Sequence, residues 1–189
     1  MELLPLTDPR WRELDHRNWS GGKPSDWAPD APFVPDELAK LVENPRDLET
    51  FQGLWPWLCS EGTTWPAAYA ALPYFVAFCK RVPPEKRVEY LIVIGLIVAD
   101  SSPDEAKLGI KDYLRKGYAD GISETLPLLT ETLTTVNDST QVRYLLATIA
   151  AIKGNCKLAN VLQNLDCIEG NCPKCGEVVF PSELQEAAR

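Results

Sequence analysis

A chain of 189 residues, 45% hydrophobic and 24% charged, has the mix of a globular rather than a disordered chain, and its length leaves little room for two full domains. The net charge of −8 repels phosphate backbones, which argues against nucleic acid. It favours a basic protein or a cationic ligand as partner, unless the charge serves solubility alone.

The first residues, Met1-Glu2-Leu3-Leu4, carry no basic region leading into an apolar run, so no signal peptide is read there. The most apolar stretch, residues 90–99, is far shorter than the roughly 20 residues a membrane-spanning helix needs. Six cysteines are too few for a disulfide scaffold of this length. A cytoplasmic protein with free thiols or a metal site is the expectation.

In chain order, a short helix is predicted over 9–17, with Asp8 as N-cap and Pro9 at the first helical position. All six tryptophans lie within the first 65 residues: Trp11, Trp19, Trp27, Trp55, Trp57 and Trp65. Pro24, Pro29, Pro32 and Pro35 follow Ser20-Gly21-Gly22, so 18–35 reads as an extended loop. Helices follow over 36–43 and over 45–58, the second with Leu48, Phe51, Leu54, Trp55 and Leu58 on one stripe and a bend at Pro56. Trp55 is expected to be buried, and Trp19 and Trp27 to be accessible.

Residues 60–64 form a turn before a helix over 66–81, in which Pro73 should introduce a kink. Pro83-Pro84 breaks the chain, and 84–98 reads as a central helix, apolar on nearly every side. The run is β-branched, but its length, its charged lead-in Glu85-Lys86-Arg87 and the lack of a partner strand favour helix over strand. Two helices are predicted over 104–113 and 118–135, the latter containing Pro127. After the stop-and-start signal Asn137-Asp138-Ser139-Thr140, helices follow over 141–153 and 158–165. A small hairpin is expected over 166–180, with Val178-Val179-Phe180 as its second strand. Arg87-Val88-Glu89-Tyr90-Leu91 and Arg143-Tyr144-Leu145-Leu146 open two similar apolar helices, each after a polar turn. Helix pairs inadequately buried alone are the logic of an α-solenoid.

Three segments carry a resemblance. Trp11-Arg12-Glu13-Leu14-Asp15-His16 resembles a W-x-x-L-x-H opening. Ser60 to Tyr74 resembles an H-Q-G-T-x-Y-x-A-x-x-A-x-P-F segment, with Ser60 and Glu61 where His and Gln usually stand. Cys172-Pro173-Lys174-Cys175-Gly176 resembles a closing C-P-x-C-G. Together they are similar to a family of bacterial HEAT-repeat, armadillo-like proteins. The resemblance implies an all-α fold, a short right-handed α-α superhelix of four to five helix pairs over 1–166, and a cysteine-containing hairpin and tail over 167–189. Members of that family beside toxin genes make an immunity role a candidate.

The single histidine, His16, restricts catalysis, since any Ser-His-Asp or Cys-His device would have to use it and a multi-histidine zinc hydrolase is excluded. A packing role beside Trp11 is the simpler reading. The turn at 60–64 could present free N–H groups to an anion or a carbonyl, or Thr63 or Thr64 could merely cap the next helix. Asp112, Asp120, Glu124 and Glu131 read as solvated faces. The leading expectation is a protein-binding scaffold whose surface includes His16, Trp19, Glu61, Thr63, Thr64 and Trp65. The alternative is an enzyme or small-ligand receptor around His16, Glu61 and Thr63.

Cys172 and Cys175 have the spacing of a zinc knuckle, two thiolates across a tight turn with Gly176 following. Cys167 and Cys156 are the nearest thiols that could complete a tetrahedral zinc site. A free thiol pair or a redox disulfide stays open, although no βαβ pattern supports a thioredoxin-like motif.

Overall fold

The computed structural model describes residues 1–14, 31–60, 62–100, 110–165, 170–171 and 178–179. The chain is predominantly helical. In order come α1 (Trp11–Leu14), α2 (Val34–Glu43), α3 (Leu48–Leu54), a 3-10 turn (Trp55–Trp57), β1 (Cys59–Ser60), β2 (Thr63–Thr64) and α4 (Pro66–Arg81). A second 3-10 turn (Pro84–Lys86) leads into α5 (Val88–Asp100), followed by α6 (Asp112–Leu133), α7 (Ser139–Ile152) and α8 (Cys156–Gln163). Two short strands, β3 (Gly170–Asn171) and β4 (Val178–Val179), pair antiparallel, as expected of the C-terminal hairpin.

Local chemistry sets most helix ends. The Asp47 carboxylate accepts from Thr50 N at 3.1 Å and caps α3. Asp138 caps α7 through Gln141 N at 2.8 Å, and Asn155 caps α8 through Leu158 N at 3.1 Å. Asp8 acts on the turn before α1, accepting from Arg10 N at 2.9 Å, so Pro9 lies in that turn and not in the helix. Residues 15–17 of the expected helix lie outside the described residues. The α2 helix begins two residues earlier than predicted, because Pro35 occupies its first turn, where a missing N–H costs nothing. Pro56 ends α3 as a helix and converts the chain to a 3-10 turn.

The start predicted for the helix over 118–135 needs correcting. Residues 104–109 of the first expected helix lie outside the described residues; the second begins earlier than expected, in a 22-residue α6 that runs without a break across Leu114–Gly117 and carries Pro127. Gly117 lies inside this helix. Its function is close approach: a Cβ there would strike the carbonyl oxygen of Glu2.

Two helix pairs, α4/α5 and α6/α7, lie side by side so that α4 meets α6 and α5 meets α7. The α2 helix packs on α4, and α8 closes against both α5 and α7. At the centre Phe51, Phe75, Phe78 and Tyr90 pack together, with Phe51 and Phe75 edge to face at 5.2 Å and Phe51 and Tyr90 centroids 4.3 Å apart. The polar ends of three aromatics are satisfied by backbone carbonyls. Tyr90 Oη donates to Pro45 O at 2.9 Å, Tyr74 Oη to Leu4 O at 2.6 Å, and Trp11 Nε1 to Pro5 O at 3.0 Å. The Tyr74 and Tyr90 bonds fasten the N-terminal segment and the α2–α3 connection to the helical body, and the Trp11 bond holds the N-terminal segment to itself.

Three of the four carboxylates read as solvated prove to be fasteners between elements. Glu124 pairs with Lys80 of α4, Glu131 with the buried Arg87 ahead of α5, and Asp120 with Lys116 at 3.1 Å and the N-terminal ammonium at 3.7 Å. Asp112 pairs only locally, with Arg115 at 2.8 Å. No helix among the described residues is long and apolar enough to cross a membrane.

Candidate functional site

The α5 sequence decides where a site can form. Its interior positions, Tyr90, Leu91, Ile94 and Ile97, are fully buried, while Glu89, Ile92, Leu96 and Asp100 are only half-buried. Those four stand at i, i+3, i+7 and i+11 and therefore share one face of the helix. That face forms the floor of an open cleft of about 790 Å³, within the size range of ligand-binding clefts. Trp55, Pro56, Cys59 and Gly62 line one side; Tyr144 of α7, Asn160 and Gln163 of α8, and Asn164 just after it line the other.

The side walls also follow from local structure. Gly62 adopts φ +75°, the left-handed conformation that lets Cys59–Ser60 turn back and pair with Thr63–Thr64. The hairpin is anchored by Trp65 N donating to Leu58 O at 2.9 Å and by Thr64 Oγ1 donating to Ile97 O of α5 at 3.4 Å. The expected Thr cap is thus replaced by a cross-link: Trp65 is the N-cap of α4 and makes no side-chain cap bond. On the far wall Asn164 Nδ2 donates to Asn160 O at 2.9 Å. The Asn160 and Gln163 side-chain amides bond to no described residue.

The cleft is acidic. Among the described residues no cation lies within ion-pairing distance of Glu89 or Asp100. Burial pushes the Asp100 carboxyl above the usual carboxylate range. The Cys59 thiol beside it is pushed up to about 12, by burial first and by the Asp100 charge second. Cys59 is therefore a neutral thiol at physiological pH and no nucleophile.

Of the residues predicted for partner binding, Thr63, Thr64 and Trp65 are described and sit in or just after the hairpin whose Gly62 lines the cleft. His16, Trp19 and Glu61 lie outside the described residues, as does Trp27. Thr63 is thus the one described member of the alternative enzyme or receptor site. Trp55, expected in the core, is half-buried at the cleft instead, because Pro56 turns the chain there and carries the indole off the apolar stripe. Of the four candidate zinc ligands only Cys156, half-buried at the start of α8, is described; Cys167, Cys172 and Cys175 are not. The Gly170–Val179 and Asn171–Val178 pairs flank 172–177. Sequence reading missed the Glu89–Ile92–Leu96–Asp100 stripe, whose signal was a carboxylate at each end of a helix otherwise read as wholly buried. Compared with models of known protein families, with characterised proteins and with solved structures, the chain matches none.

Proposed function

We propose that this chain is a cytoplasmic, HEAT/armadillo-like scaffold, a short right-handed superhelix, that binds a basic protein partner through the cleft over α5. An immunity-type or other regulatory role is its most concrete form. The observation that carries the reading is the cleft itself: open, floored by Ile92, Val93 and Leu96, and bearing two carboxylates that have no cationic partner among the described residues. An open apolar surface rimmed by charge suits a macromolecular partner better than a reaction centre, which needs converging polar groups shielded from water. The side-by-side pairs α4/α5 and α6/α7 support the solenoid reading, since each pair buries apolar surface against the other.

The test uses immobilised protein and extract of its native host. A basic protein should be retained at low ionic strength and released as salt rises, and the Leu96→Ser variant, checked for unchanged helicity, should lose it. Retention that ignores Leu96→Ser would overturn the cleft as the binding surface. A neighbouring gene encoding a toxin-like protein would supply the partner for the immunity form.

The same proposal keeps a zinc site on Cys156, Cys167, Cys172 and Cys175, supported by the C-P-x-C-G spacing and the strand pairs on either side of it.

A further inference from the structure

We infer that the cleft reads a short extended peptide in which two basic residues four positions apart flank an apolar one. This rests on the scaffold reading above and names what such a scaffold recognises. Glu89 and Asp100 are eleven residues apart on one face of α5, about 16 Å along the helix axis. In an extended chain, residues i, i+2 and i+4 project to the same side, and i to i+4 covers about 13 Å. The flexible length of a lysine or arginine side chain covers the remainder at each end. The i+2 side chain then falls midway, over Ile92 and Leu96, which form the apolar part of the stripe.

The opposite wall decides between an extended chain and a helix. Asn160 and Gln163 each offer an amide donor and an acceptor, and neither bonds to a described residue. An extended main chain has N–H and C=O groups that need such partners, whereas a helix has already paired its own. Charge favours one end. Asp100 is the last residue of α5, where the partial negative charge of the helix C-terminus adds to its carboxylate, while Glu89 sits in the first turn, where the helix dipole opposes attraction of a cation.

The probe is a fluorescently labelled, end-capped heptapeptide with lysines four apart, leucine midway and serine between, read by anisotropy against the full chain. It should bind saturably. Asp100→Asn should weaken it about tenfold and Glu89→Gln about threefold, with Asn160→Ala weakening it independently of salt. Peptides with adjacent lysines, or with glutamates in place of lysines, should bind at least tenfold more weakly. Equal binding of the adjacent-lysine peptide would overturn the spacing. Spermine displacing the probe as well as unlabelled peptide does, with Asn160→Ala silent, would overturn peptide recognition in favour of a simple cation site. If the host partner is lost on Leu96→Ser but no spaced basic peptide binds, this inference fails while the scaffold reading stands. If peptide binds and no host protein does, the reverse holds.

Discussion

At the residue scale, Asp100 makes the sharpest claim. A carboxyl held above its usual range in the folded chain binds its proton more tightly there than in the unfolded chain. The folded state therefore loses stability as pH rises through the interval from the ordinary aspartate value to the raised one, and is relieved of that cost below it. Asp100→Asn should accordingly raise the urea midpoint at pH 7, with the gain vanishing as pH falls to the ordinary aspartate range; a gain independent of pH would remove ionisation as its cause. Thiol reactivity gives a second residue-scale prediction. Cys59 and Cys79, both pushed up to about 12 by burial, should resist alkylation in native protein whether or not a chelator is present. Cys156, Cys167, Cys172 and Cys175 should become reactive only after chelation, and purified protein should carry about one zinc per chain. Ready labelling of those four without chelator, with no metal by elemental analysis, would leave the C-P-x-C-G segment as a plain turn.

At the element scale the α5–α7 crossing depends on a missing side chain. A Cβ on Gly95 would lie 2.8 Å from Thr148 Cβ and 3.0 Å from its Cα, and Thr148 Oγ1 itself donates to Leu91 O at 3.1 Å. Gly95→Ala must push two helices apart and should cost about 1–3 kcal/mol in chemical unfolding. Adding Thr148→Ala should recover only part of that loss, since the Thr148 backbone stays in place; full recovery would show that the clash is with the side chain alone. Pro127 gives the opposite case. It lies exposed inside α6, where a proline removes one helical hydrogen bond and clashes with the preceding turn. Pro127→Ala should stabilise the protein by up to about 3 kcal/mol, and a neutral or negative effect would mean that the proline sets a bend the packing requires.

At the scale of the whole molecule, the predominantly helical fold follows from chain-wide patterns and should give a helix-dominated far-UV circular dichroism spectrum, with strand confined to the two short hairpins. The negative charge acts at the same scale. It should make partner association fast at low salt and progressively slower as salt rises, with dissociation changing less, in stopped-flow mixing with the captured partner. Salt-independent association would place the acidic surface outside recognition.

How much was legible in advance differs by scale. Helix existence and most boundaries could be read locally, because prolines, Asp and Asn caps and the 3.6-residue period act within a few residues of where they sit. The β-branched run reads as helix over 84–98 from its length, its charged lead-in and the lack of a partner strand, and it forms α5. The start of α6 at Asp112 could not be read, because a glycine inside a helix is unfavourable unless another segment passes as close as Glu2 does to Gly117. Nor could the cleft. Which face of α5 stays uncovered depends on how α8 and the Trp55–Gly62 segment pack beside it, and the Asp100 carboxyl is raised only because that packing half-buries it. Sequence by itself determined the helices and their amphipathic faces, because these are short-range consequences of backbone and side-chain chemistry. Only the tertiary structure decided which face was left open and acidic, because that depends on segments far apart in the chain competing for the same apolar surface.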